Sequence, residues 1–322
     1  YKVTNIIVND NKALFKNLTN STIENIDFYF VDKNIEVNQD FSFALLVNEL
    51  DNSTLKNIYV NCNSLKVIVK NDLETLKVGG VVNNSTRSSL INVKVDNNLS
   101  LQGEQSINVT NLYVGLLTAS VTGGTIQDIN KNFTIDNYYS TINGSININN
   151  ITSSTSYVGG GVGYASGSTI SNIYSDVNVS ALNVDNVASV IGYADTCTIT
   201  HILSHGISQG NNNVGGLVGQ LLNSNIDYSI YEMNYNSTRG KLNNLNLIYY
   251  VLGSQNVGGL VGLINSGNDV TNSNAVTISN SYVKSYQTYL IIKGSSNIGG
   301  LVGNQQANLS LSKTYASTDM II

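Results

Sequence analysis

The chain has 322 residues, no proline, no tryptophan and only 11% charged residues, with a net charge of -5 and a pI near 4.9. An average chain of this length carries about 16 prolines and roughly 25% charged residues. The acidic balance excludes nucleic acid and anionic lipid, which need a basic footprint. No apolar run approaches the roughly 18 residues of a membrane span, and 41% hydrophobic residues exclude disorder.

About one residue in six is Asn, while Phe is only 6. Nucleotide bias would raise Phe and Lys together with Asn, so the excess points to a structural demand for Asn itself. Cys62 and Cys197 are the only cysteines, too few for a disulfide framework or a structural zinc site. They fall several repeats apart and are expected to be free thiols.

In chain order, the first recurring element is a small residue and Thr, then aliphatic-x-Asn-aliphatic. It appears as Ser21-Thr-Ile-Glu-Asn-Ile26, Ser53-Thr-Leu-Lys-Asn-Ile58 and Ser168-Thr-Ile-Ser-Asn-Ile173. Ser89-Leu-Ile-Asn-Val93, Thr125-Ile-Gln-Asp-Ile129, Thr198-Ile-Thr-His-Ile202 and Thr277-Ile-Ser-Asn280 match in part. Its leading aliphatics are Ile23, Leu55, Leu90, Ile126, Ile170, Ile199, Ile226, Ile278 and Leu311. These nine marks cover 288 residues in eight steps, a mean period of 36, with spacings from 27 to 52. The variation puts insertions in loops rather than in the frame.

Between marks runs a segment of period-two alternation, as in Leu65-Lys-Val-Ile-Val-Lys70, Ser145-Ile-Asn-Ile-Asn149, Val177-Asn-Val-Ser180 and Tyr289-Leu-Ile-Ile292. Alternation with β-branched residues predicts strand. A glycine-rich strand completes the period. It begins eroded, as Phe43-Ala-Leu-Leu-Val47, Val78-Gly-Gly-Val-Val82, Val114-Gly-Leu-Leu-Thr118, Val158-Gly-Gly-Gly-Val-Gly163 and Val187-Ala-Ser-Val-Ile-Gly192. It becomes clean in Asn213-Val-Gly-Gly-Leu-Val-Gly219, Asn256-Val-Gly-Gly-Leu-Val-Gly262 and Asn297-Ile-Gly-Gly-Leu-Val-Gly303.

No segment holds a 3.6-residue period with caps. The expectation is an all-β chain, a parallel β-solenoid of eight to nine coils with about three strands per coil and essentially no helix. Residues 1–322 would form one domain. With about 4.8 Å per coil, the rod would be about 40 Å long. Proline is absent because it cannot donate to a ladder and is excluded from central strands. Glycines in the third strand mark a place where the cross-section narrows or an insertion covers it.

The repeated Gly-Leu-Val-Gly, at Gly216–Gly219, Gly259–Gly262 and Gly300–Gly303, resembles the GLUG repeat of bacterial and protist surface proteins, including filamentous adhesins and peptidase stalks. The repeat glycines are Gly215, Gly216, Gly219, Gly258, Gly259, Gly262, Gly299, Gly300 and Gly303. The resemblance implies an extracellular or cell-surface β-rich stalk or adhesive module. It does not bring peptidase activity, because no metal-binding motif accompanies it.

Asn25, Asn57, Asn92, Asn172 and Asn280 are expected to stack as a structural Asn column at a bend, since Asn tolerates left-handed angles and Asn ladders bond along a stack. An internal ladder would make Asn172→Ala cost about 1–3 kcal/mol. Tyr59, Tyr174, Tyr282 and Tyr315 share one offset from their marks and are candidate contact tyrosines for sugar rings or a neighbouring rod. Sequons at Asn17, Asn20, Asn52, Asn83, Asn84, Asn98, Asn108, Asn132, Asn143, Asn150, Asn178, Asn236 and Asn308 offer N-glycosylation in a secretory pathway, Asn83 being left out of the candidate set.

His201 and His205 are the only histidines. On a strand they lie about 13 Å apart, too far for one metal, and His201 takes the Asn-column slot. Glu49 and Asp51 are the nearest acid pair, and scattered acids make a glycosidase pair unexpected. No phosphate-loop glycine pattern occurs. No catalytic residue, metal or cofactor is expected.

Tyr1–Val8 reads as strand, and Ile321-Ile322 carries no polar cap. The chain is therefore expected to be an excerpt of, or a subunit in, a longer assembly. The leading expectation is a noncatalytic fibre subunit or stalk that self-associates head to tail. The alternatives are an adhesin for glycans or a host surface, and a polysaccharide-active enzyme.

Overall fold

The structure is a computed structural model that describes residues 1–8, 11–128, 142–234, 249–265, 276–286 and 290–321. Every element among these residues is a β-strand, with no helix. The strands form a 25-stranded and a nine-stranded sheet, and every pairing is parallel. The fold is thus all-β with parallel sheets.

The nine aliphatic marks lie in one ladder. Ile23 pairs with Leu55, Leu55 with Leu90, Leu90 with Ile126 and Ile126 with Ile170. Ile170 continues to Ile199, Ile226, Ile278 and Leu311. The register holds across steps as different as 27 and 52 residues, so the additional chain does not enter the ladder. The longest steps contain 129–141, 235–248 and 266–275, outside the described residues.

Alternation decides which side chains are inside. Leu65, Val67 and Val69 are fully buried, while Lys66 and Ile68 between them are partly exposed. From Leu55 to Ile278 the marks are no more than 2% exposed, each burial contributing roughly 1.5–3 kcal/mol. At the extremes the column opens: Ile23 is half-buried and Leu311 is 49% exposed.

The eroded glycine-rich copies occupy the same columns as the clean ones. Phe43, Val78, Val114, Val158, Val187, Val214, Val257 and Ile298 form one ladder. Three residues past each clean Val-Gly, the chain has turned into the nine-stranded sheet. A Cβ on Gly215 would strike the carbonyl of Val218, so the turn is too tight for a side chain.

The second glycine faces side chains of another interior ladder. A Cβ on Gly216 would lie 2.6 Å from the Tyr231 ring, on Gly259 2.9 Å from Val283, and on Gly300 2.8 Å from Ala316. Tyr231, Val283 and Ala316 are themselves one ladder, continuing from Ser175 and Ser204. Opposite small Ser204 the slot holds Ser189 instead of glycine, and their hydroxyls meet at 2.6 Å. The last glycine packs on backbone, with Gly219 against Asn186 and Val187 of the previous rung. Earlier rungs put Asn48 and Asn83 there, joined by an Asn83 Nδ2 to Asn48 Oδ1 bond of 3.1 Å.

Candidate functional site

The columns at the corners are built from left-handed residues. Asn25, Asn57, Asn92, Asn172 and Asn280 all have φ between 47° and 60°. They sit one above another, with His201, Tyr228 and Lys313 taking the same slot at positive φ. Asn57 Nδ2 donates to Asn25 Oδ1 at 2.8 Å, and Asn92 Nδ2 donates to Asn57 Oδ1 at 2.8 Å. The expectation of an internal ladder is corrected: these bonds are exposed. A left-handed residue at a convex corner turns its side chain outward, so solvent shares the amides.

A second Asn ladder precedes the clean glycine-rich strands. Asn186, Asn213, Asn256 and Asn297 have φ between 53° and 55°. Each amide donates to the one before it, at 2.9, 2.7 and 2.8 Å. The sequence shows these Asn as part of the motif but not their stacking.

Beneath the corners preceding Leu55, Leu90, Ile170 and Ile226 stand buried serine hydroxyls in one slot. Ser53 Oγ accepts from Ser21 N at 3.0 Å, and Ser88 Oγ accepts from Ser53 N at 3.0 Å. Ser168 serves Gly124 and Ser224 serves Cys197 in the same way. Each hydroxyl donates to the carbonyl two residues back. These serines satisfy backbone N–H groups that the tight corner turns away from other carbonyls. Cys197 occupies this slot and Cys62 an interior ladder position; both are free and buried, with burial pushing their thiols up to about 11.

The four expected tyrosines share one column. Tyr59 pairs with Asp27 and Lys94, Tyr174 with Leu203, and Tyr282 with Tyr315. Tyr59 and Tyr282 are half-buried, and Tyr315 is 50% exposed. Tyr282 and Tyr315 stack with ring centroids 4.7 Å apart and planes within 8°. The Tyr174 hydroxyl meets His205 Nδ1 at 2.9 Å.

Another aromatic patch was not apparent from the period. Tyr113 and Tyr157 come from one sheet, Tyr164 and Tyr193 from the other. Their centroids lie 4.9–6.1 Å apart, and Lys77 Nζ sits 4.5 Å over Tyr113. Burial raises the Tyr113, Tyr157 and Tyr193 phenols, Tyr157 to about 12.

His201 stacks on Tyr228 at 5.1 Å, and His205 lies beside Tyr174, so the pair shares no site. Burial, reinforced by Lys284, lowers His205 to about 4. Glu49 accepts from Asn84 Nδ2 at 2.8 Å, while Asp51 pairs with Arg87 at 2.8 Å. Asp227 accepts from Asn280 and Ser279. Among the described residues no group of three His, Cys, Asp or Glu could hold a metal.

Among the sequons, Asn17, Asn20, Asn52, Asn98, Asn108, Asn150 and Asn308 are exposed, and Asn84, Asn143 and Asn178 partly so. Asn83 is fully buried. Asn132 and Asn236 lie outside the described residues. No described helix is long and apolar enough to cross a membrane. No family model, curated protein or solved structure matches the chain.

Proposed function

We propose that the chain is a noncatalytic extracellular structural protein, a surface stalk or fibre subunit wound as a parallel β-solenoid. On this reading it has eight to nine coils, each giving about three strands, and it lengthens by coil-on-coil stacking. The observation that carries it is the single aliphatic ladder from Ile23 to Leu311, paired in register rung on rung, with its marks from Leu55 to Ile278 buried. The Gly-Leu-Val-Gly resemblance supports the surface setting. Electron microscopy of the purified chain tests the fibre version: rods that lengthen with concentration support it, and uniform single rods at high concentration remove it.

A glycan- or host-binding adhesin is the alternative, favoured by the exposure of Tyr315 and the half-exposed Tyr59. Against it, the Tyr282 and Tyr315 faces are turned to each other rather than to a sugar. Binding on a glycan array that is lost in Tyr59→Ala and Tyr315→Ala would favour the adhesin. The polysaccharide-active reading has no specific observation in its favour, since Glu49, Asp51 and Asp227 are engaged by neighbouring side chains.

A further inference from the structure

Among the described residues three pairs of tyrosines stand directly opposite each other on adjacent rungs: Tyr113 and Tyr157, Tyr164 and Tyr193, Tyr282 and Tyr315. Their ring centroids are 5.2, 5.4 and 4.7 Å apart. The last two pairs are stacked, with interplanar angles of 6° and 8°. We infer that one-electron oxidation staples neighbouring rungs of this chain through dityrosine bonds at these two aromatic sites, the four-ring patch and the Tyr282–Tyr315 stack.

Competition for the oxidant favours these rings. The chain has no Trp. Both cysteines are buried, and burial keeps them as thiols, the form that resists oxidation. The tyrosine rings are half-buried or, for Tyr315, half-exposed, so part of each side chain is open to solvent. Within the patch, Tyr157 lies 5.3 Å from Tyr164 and 4.9 Å from Tyr193, so an electron vacancy formed on one ring is shared among neighbours.

The oxidant is hydrogen peroxide acting through a haem peroxidase. Each of two phenols gives one electron to the peroxidase and its hydroxyl proton to water. The two phenoxyl radicals join through a bond between their ortho carbons. The two hydrogens on those carbons leave as protons, and both phenol hydroxyls are restored. The pair loses two hydrogen atoms, and one peroxide becomes two waters. The ladder holds the partners together, so coupling within one chain outruns encounter between dilute chains.

The links would close loops of 44, 29 and 33 residues, counted from the paired positions. They would supply covalent rung-to-rung ties in a chain whose two cysteines form none. The inference goes beyond the stalk reading and needs only the register, so microscopy and this chemistry fail independently.

The test treats the purified chain at low micromolar concentration with peroxidase and hydrogen peroxide. Dityrosine fluorescence, chain size under denaturing conditions and cross-linked peptides are then measured. The expected result is a monomeric chain whose links, each two hydrogens lighter, join the 113/157/164/193 patch and join Tyr282 to Tyr315. In the combined variant Tyr157→Phe, Tyr193→Phe, Tyr315→Phe, which keeps the rings, intrachain dityrosine should fall about fivefold or more. Links that map mainly to other tyrosines in the natural chain, or form only between chains, would overturn the inference. So would an undiminished yield in a folded triple variant.

Discussion

The facing of Gly216 and Tyr231 makes a quantitative prediction about the repeat. The preceding rung solves the same space differently, with Ser189 opposite Ser204. In Gly216→Ser, the new Cβ meets the Tyr231 ring and the Gly259 carbonyl. Tyr231 cannot retreat, being 1% exposed with its hydroxyl donating to Gly206 O at 2.7 Å. Overpacking of this kind costs about 1–3 kcal/mol. Tyr231→Ser alone empties the slot and costs about 3–5 kcal/mol. The double variant copies the neighbouring rung, so its loss should be smaller than the sum by about 1 kcal/mol or more. Urea unfolding of the four proteins, fitted with a common m-value, measures the cycle. Additivity within about 0.3 kcal/mol would refute the claim that the glycine exists to admit the facing ring.

Three further outcomes follow. Asn57→Gly should lose only its two exposed amide bonds, to Asn25 and from Asn92, about 0.5–1.5 kcal/mol each or less, whereas Asn57→Ala should lose about 1–2 kcal/mol more because alanine is strained at φ 52°; equal losses by denaturant melts would remove the left-handed explanation. Asn97 is fully buried with neither amide atom hydrogen-bonded to protein, so Asn97→Leu should raise stability by about 1 kcal/mol, and a clear loss would contradict this. His205, facing Tyr174 and Lys284, has a folded pKa near 4, below its unfolded value of about 6.5. Its neutral form therefore stabilises the fold above about pH 6.5, and that contribution fades as pH falls toward 4. A denaturant series should show a smaller loss between pH 7 and 4 in His205→Gln than in the natural chain, by up to about 3 kcal/mol; identical pH slopes would count against a buried neutral His205.

The ladder of marks was legible because each rung repeats one local problem, an aliphatic to bury and a left-handed corner to turn. That is why Ile23 through Leu311 fall in register despite uneven spacing. Asn25 and its successors were legible as corner residues for the same reason, but not as outward ones. The direction depends on whether the corner is convex, which spacing does not encode. The Tyr113, Tyr157, Tyr164 and Tyr193 patch was hidden because a period assigns columns without saying which columns adjoin. Two sheets meet at that edge, and the meeting is a property of the turn at Gly115 and Gly159. The serine ladder was visible only as a preference for small residues. Its purpose, accepting an N–H from the preceding rung, joins residues some 27 to 44 apart.

Distances along the threonine column test the winding most directly. Thr22, Thr54, Thr169, Thr198 and Thr277 stand in one ladder beside the marks. Spin labels at Thr22 and Thr198 are five rungs apart and should lie about 24 Å apart, and labels at Thr22 and Thr277, seven rungs apart, about 34 Å, at ~4.8 Å per rung. Pulsed dipolar spectroscopy of the two doubly labelled chains should return distances that grow with rung number alone. Separations far from about 24 and 34 Å, or that fail to increase from the first pair to the second, would contradict coil-on-coil winding.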